Sequence, residues 1–209
     1  MQPAVAQSDK HFKQPAHVLP QNLSWWDSIY LYPAFKESRL VFTTGFSPEQ
    51  ALRLNYNMYS AQMDMINSSG DTLQVEPLKT MKSLMLDSNL FYYDPQRGYL
   101  ELVLPGKVKL ASRTFLKLTK IEEGRRLEDY RGKALDYDTY YQRVSTYFFI
   151  DDADRIRSAS PATLRKMLPT HKKSVSEYIR NESIDFSRQH DLVKLIKHCN
   201  YLAGAVDGQ

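Results

Sequence analysis

The chain has 209 residues and a mass of 24.3 kDa; 42% of its residues are hydrophobic and 25% charged, and the net charge is +4 with a pI of about 9.0. That length can hold one large domain, or one domain with a small appendage, without metals or cross-links. A single cysteine, Cys199, excludes an intramolecular disulfide, and no apolar run approaches the roughly 18 residues of a membrane-spanning helix. The positive excess is too diffuse to name a nucleic-acid partner and would equally suit a protein lying near anionic surfaces.

Residues 1–24 carry Pro3, Pro15 and Pro20 and show no periodicity, so they read as a disordered N-terminal tail. Inside this tail, Ala4-Val5-Ala6 before Gln7 has the small-x-small form of a signal-peptidase site, without the charged and apolar regions that precede one. Ser24 to Tyr32 is the first ordered candidate: Trp25, Trp26, Ile29 and Tyr30 read as a short turn capped by Ser24 and plugged against a sheet.

From Glu37 to Ile121 the chain reads as a succession of strands, and fourteen Tyr and nine Phe support that class. Arg39 to Thr44 is the first. Leu52 to Val75 is the central stretch. Leu52, Leu54, Tyr56 and Met58 alternate with polar residues at the period of a half-buried strand. The phase then flips to Tyr59, Ala61, Met63 and Met65. A strand keeps its phase unless a residue is inserted, so the pattern predicts a bulge at Met58 to Ser60, with Asn57 and Ser60 comparatively exposed. Ser68-Ser69-Gly70-Asp71 then reverses the chain. Leu78 to Leu86, Asn89 to Tyr93, Tyr99 to Leu104 and Lys107 to Leu118 follow as strands, separated by turns at Asp94–Gly98 and Pro105-Gly106. Residues 122–138 carry ten charges of both signs and read as a solvated loop or protruding hairpin. Tyr140 to Ile150 is the last strong strand.

The tail is helical. Ser160-Pro161 opens one helix, Pro169 ends it, Thr170 caps a second and Ser187 a third. On the third, Leu192, Leu195, Ile196, Cys199 and Leu202 form one stripe, with Gly204 as a stop. The expected fold class is α+β: a mostly antiparallel, curved β-sheet (meander, sandwich or partial barrel) within a β-rich domain at 25–150. Two or three C-terminal helices follow in 151–209, packed on the same domain.

No residue is nominated as catalytic, cofactor-binding or metal-ligating. Asp151, Asp152 and Asp154 lack the glycine and closing glutamate of a calcium loop, and Arg155 and Arg157 stand where ligands belong. His190 and His198 lie too far apart on a helix to share a zinc, and His171 has no carboxylate partner in an HExxH pattern. Cys199 on an apolar stripe reads as a buried thiol. Glu122/Glu123 and Asp151/Asp152 are adjacent pairs without the facing geometry of a glycosidase. Arg155, Arg157, Arg165, Lys166, Lys172, Lys173, Arg180, Arg188, Lys194 and Lys197 make the C-terminal region basic, but spread over three helices with no aromatic interleaving.

LRLNYN with its Gly-Asp hairpin, the PGKVKLASR strand pair and the closing KMLPTHKKSVSEYIRNESIDFSRQHDLVKLIKHCNYL resemble, over about residues 37–202, a group of exported proteins from Bacteroidetes-type bacteria without an assigned function. The resemblance implies a periplasmic or secreted location and carries over no catalytic or binding residue. The expectation is therefore a non-enzymatic cell-envelope protein that binds an unknown protein or envelope component through the sheet or the 122–138 loop. The alternatives are a nucleic-acid-binding protein using the basic helices, or a hydrolase with dispersed residues.

Overall fold

A computed structural model describes residues 12–15, 29–42, 52–77, 81–120 and 139–206. Among the described residues eleven strands form one sheet: β1 (Phe12–Pro15), β2 (Lys36–Phe42), β3 (Leu52–Asn57), β4 (Gln62–Ile66), β5 (Thr72–Val75), β6 (Met81–Leu86), β7 (Asn89–Asp94), β8 (Gly98–Leu104), β9 (Lys109–Lys120), β10 (Thr139–Ile150) and β11 (Ile156–Ser158). Helices α1 (Pro161–Met167), α2 (Lys172–Asn181) and α3 (Gln189–Val206) follow, with a 3-10 turn at Pro169–His171. The protein is thus α+β, with an antiparallel curled sheet followed by three helices. Every strand pair is antiparallel, in the order β1-β5-β4-β3-β2-β6-β7-β8-β9-β10-β11. Phe12–Pro15, inside the stretch read as a tail, forms the edge strand against β5. Trp25 and Trp26 lie outside the described residues.

The expected bulge at Met58 is a chain reversal instead. Asn57 pairs directly with Gln62, so Met58 to Ala61 form a four-residue hairpin turn, and the stretch read as one long strand is β3 and β4. A reversal flips the apolar phase just as an inserted residue would, which is why alternation alone misled. Asn57 drives the turn: its Oδ1 accepts the N–H groups of Tyr59 (3.0 Å) and Ser60 (3.2 Å). Asn57 is accordingly 4% exposed, against expectation; Met58 is fully buried and Tyr59 39% exposed. The turn at residues 67–71 forms as anticipated, with Asn67 Oδ1 accepting from Ser69 and Asp71 and Gly70 at φ 88°.

One face of the curled sheet carries Leu54, Tyr56, Met63, Leu84, Leu86, Phe91 and Tyr99, which pack together as a single core. The β3–β4 turn closes against the far side of the curl: Leu116 N–H donates to Met58 O at 2.9 Å. A second core joins Val108, Leu110 and Phe149 to Leu164, Val175, Leu192, Leu195, Ile196 and Cys199 of the helices. Asn200 of α3 docks this layer. Its side chain accepts from Val108 N–H (2.8 Å) and donates to Val108 O (3.0 Å), standing in for a missing strand neighbour. Gly106 makes room for it: at φ 148°, a Cβ there would overlap the Asn200 amide.

Ser160 caps α1 by accepting from Thr163 N–H at 3.1 Å. The other helix boundaries depart from the sequence reading. Thr170 sits inside the 3-10 turn, and the residue before α2 is His171, which makes no side-chain cap. Ser187 donates to Asp185 Oδ1 through its N–H (2.8 Å) and its hydroxyl (2.7 Å), and α3 starts after it at Gln189. Gly204 does not stop α3, which runs on to Val206. Leu202 packs at the margin of the core, while the other four residues of the stripe are fully buried.

The opposite face of β3 and β4 holds a polar inlay. Asp64, 1% exposed, accepts from Asn57 Nδ2 (2.8 Å) and from the Tyr30 hydroxyl (3.1 Å), both at Oδ2. Burial holds the Asp64 carboxyl above its ordinary range, against the pull of the Asn57 and Tyr30 donors. An acid whose folded pKa is raised binds more proton folded than unfolded between the two values. Wild-type stability therefore falls as pH rises from about 4 through the raised value. Asparagine cannot ionise, and its single oxygen can still accept both bonds. Asp64→Asn is thus expected to gain stability relative to wild type as pH rises from about 4 to 7 in paired thermal melts. A difference that stays flat over that range would show that the carboxyl titrates as an ordinary one.

Candidate functional site

The two longest strands build the feature that stands out from the sheet. β9 and β10 pair without interruption from Lys109↔Ile150 to Lys120↔Thr139. Their outer neighbours are much shorter. β8 reaches along β9 only to Ser112, and β11 pairs with β10 only from Phe148 to Ile150, with one further bond from Ala159 N–H to Tyr147 O. Residues 113–120 and 139–146 therefore project as a two-stranded ribbon. Such a ribbon is marginal by itself in water, and the β3–β4 turn braces it as far as Tyr141. Besides the Met58–Leu116 bond, Tyr59 meets Tyr141 edge to face at 5.6 Å, and Arg143 Nε donates to Met58 Sδ at 3.1 Å. Thr114 and Ser145 join hydroxyls across the strands at 3.0 Å.

Antiparallel pairing turns alternate residues of a strand to its two neighbours. Because the Tyr147 carbonyl faces β11, the backbone N–H and C=O groups of Tyr141, Arg143 and Ser145 face outward from β10. Among the described residues no strand pairs with that edge. An open edge is a template for another strand. The ribbon is also uniformly basic: residues 113–120 and 139–147 contain Arg113, Lys117, Lys120 and Arg143 and no Asp or Glu. Leu118, 55% exposed, and the Tyr59–Tyr141 pair supply apolar surface beside the charges. The loop at 122–138, with Glu122 and Glu123, lies outside the described residues, as does Ala4-Val5-Ala6.

The other residues weighed from the sequence do not converge. Asp151 organises its own turn, its Oδ1 accepting the N–H groups of Ala153 and Arg155 and its Oδ2 the side chains of Arg155 (2.8 Å) and Arg157 (3.2 Å). Burial would raise its pKa, but these donors prevail and lower it. Asp154 bridges Lys82 and Lys109 and is lowered by both. Residues 156–158, between the last strand expected from the sequence and the first helix, pair with β10 as β11. Cys199 is fully buried and its thiol is pushed up to about 12 by burial. His198 stacks on Tyr178 with ring centroids 4.0 Å apart, and burial lowers its pKa; His190 lies 3.4 Å from Asp191 at the surface. Arg165, Lys166, Lys172, Lys173, Lys194 and Lys197 are all exposed, on three different helices.

The sequence reading placed strands at Lys107–Leu118 and Tyr140–Ile150 around a loop or protruding hairpin but did not single out their free edge; the two are twelve-residue strands in the structure, against three to seven residues in every other described strand. Comparison with protein-family models, with curated proteins and with solved structures found no match.

Proposed function

We propose that the protein is a non-enzymatic interaction protein of the bacterial cell envelope. It captures an extended, acidic segment of a partner protein by adding it as a strand to the outer edge of β10. The observation that carries this reading is the outward backbone groups of Arg143 and Ser145, on an edge of β10 that no described strand pairs with. Main-chain hydrogen bonds supply affinity in strand addition, and side chains select the sequence. Here the selecting side chains are Lys117 and Arg143 for acidic residues and Tyr141 and Leu118 for apolar ones. The envelope location rests on the signal-peptidase-like Ala4-Val5-Ala6 and on the resemblance to exported proteins.

The test is a titration with eight-residue peptides that alternate Glu and Val. Wild type is expected to bind them with an affinity that falls as salt rises. Ser145→Pro removes one outward N–H and no backbone bond to β9; it also loses the hydroxyl contact with Thr114, which Ser145→Ala removes alone. Binding should weaken by roughly three- to tenfold in Ser145→Pro relative to Ser145→Ala. Unchanged binding by Ser145→Pro would refute strand addition. Binding of single-stranded DNA in place of the peptides, with steep salt dependence, would make the ribbon a nucleic-acid arm instead.

A further inference from the structure

Away from the ribbon, where the helices meet the sheet, an open cleft has two contiguous lobes that share Asp151, Asp152 and Met167. The inner lobe has a volume of about 270 Å³ and a largely apolar floor made by Val108, Met167, Leu168 and Ala203. The outer lobe has a volume of about 550 Å³ and is bordered by Arg155, Arg157 and Lys166. Lys107 enters the inner lobe from the β8–β9 turn and donates to Ala203 O at 3.2 Å.

The charges of this cleft do not cancel. Asp151 is held by two backbone N–H groups and by both arginines, so its charge is already compensated, and in being compensated it fixes the two guanidinium groups over the outer lobe. Asp152 is the other acid among the described lining residues, so Asp151 and Asp152 together stand against Arg155, Arg157 and Lys166, an excess of one cation. Met167 and Leu168 close α1, so the negative end of that helix borders the cleft. It is worth about half a charge, less than that excess of one side-chain cation.

We propose that this cleft binds a small amphiphilic carboxylate, its short apolar group in the inner lobe and its carboxylate among Arg155, Arg157 and Lys166. An arginine fork suits a carboxylate in geometry as well as charge. A free short-chain fatty acid and the C-terminus of a peptide ending in an apolar residue both present this chemistry. The proposal is independent of the strand edge of β10, because no residue is shared between the two sites.

Titration of the full chain with sodium octanoate, with N-acetyl-Ala-Leu and with N-acetyl-Ala-Leu-amide, followed at the Met167 methyl by NMR, separates the cases. At least one of the two acids should give a saturable shift, and which one does so identifies the source. The amide should bind about tenfold or more weakly, the loss expected when a charged contact of ~1.4 kcal/mol is removed. Met167→Trp, which fills the inner lobe, should abolish the shift read at neighbouring Ala203. Lys166→Glu, a fully surface change, should weaken binding severalfold with an unchanged melting temperature. No saturable shift with either acid would overturn the proposal, as would equal binding of acid and amide or full binding by both variants.

Discussion

Leu195→Ala is expected to lower the stability of the protein by about 2–5 kcal/mol, the range for deleting a buried leucine whose surroundings relax only partly. Leu195 is fully buried near the middle of α3, between Leu192 and Cys199 on the stripe that meets Leu110 and Phe149 of the sheet. A chain of this size should then melt roughly 5–15 °C lower. The measurement is a thermal melt beside a urea titration, read both by near-ultraviolet dichroism of the tyrosines and by far-ultraviolet helix signal. If the two signals fall together, sheet and helices unfold as one unit. A melt equal to wild type would mean that α3 contributes nothing to holding the sheet.

Asn55→Ala should cost about 3 kcal/mol, from a polar side chain on the face of β3 opposite Leu54 and Tyr56. Asn55 is 1% exposed and lies on the polar face of β3. Its Nδ2 donates to Tyr32 O (2.8 Å) and Ala34 O (3.2 Å), and its Oδ1 accepts from Tyr32 N–H (3.2 Å). These are the backbone groups of residues 32–35, where the chain leaves the line of β2 before Lys36 begins the strand. Alanine would remove three hydrogen bonds, to the amide and carbonyl of half-buried Tyr32 and to the Ala34 carbonyl, each worth about 1 kcal/mol. Asn55→Asp is the sharper probe. It keeps the shape and the acceptor but sets a carboxylate against two carbonyl oxygens, so it should destabilise at least as much as alanine. Comparable stability of Asn55→Asp and wild type in urea would show that solvent, and not Asn55, satisfies this segment.

The segregation of strands before helices was legible because the two periodicities, two and 3.6, do not mix along this chain. The buried stripe of α3 was legible for the same reason, since a helix repeats its inner face at fixed intervals. What was not legible shares one cause: those features depend on partners distant in sequence. Ile156–Ser158 is a strand because Phe148–Ile150 offers it an edge, and Phe12–Pro15 because β5 does. Three or four residues carry no pattern of their own. Met58 to Ala61 is different. The alternation there was read correctly but admits two geometries, and the deciding fact is the reach of the Asn57 side chain to two amides. At the candidate site, the length and basic character of the β9–β10 ribbon are plain in the sequence. The open edge is not, because it is set by where β8 and β11 happen to end.

The strand order contains a seam that bears on how the chain finds its fold. From β2 the sheet runs through β3, β4 and β5 in one direction and from β6 to β11 in the other, so β2 and β6 join two separate meanders. In both meanders most successive strands are tied by short turns, such as Asn57–Gln62 in one and Leu86–Asn89 and Asp94–Gly98 in the other. The joint instead brings together Phe42 with Met81 and Ser38 with Leu86. Local hairpins form within microseconds and pay little chain entropy. A pairing across some forty residues must pay the loop-closure cost before any contact rewards it. The two halves can therefore zip up independently, and the slow search is for a single registration, five residue pairs long, between β2 and β6. Until it is made, the apolar faces of both meanders are uncovered together. The interval before β2 meets β6 is thus when a nascent chain is most exposed to sticking to its neighbours.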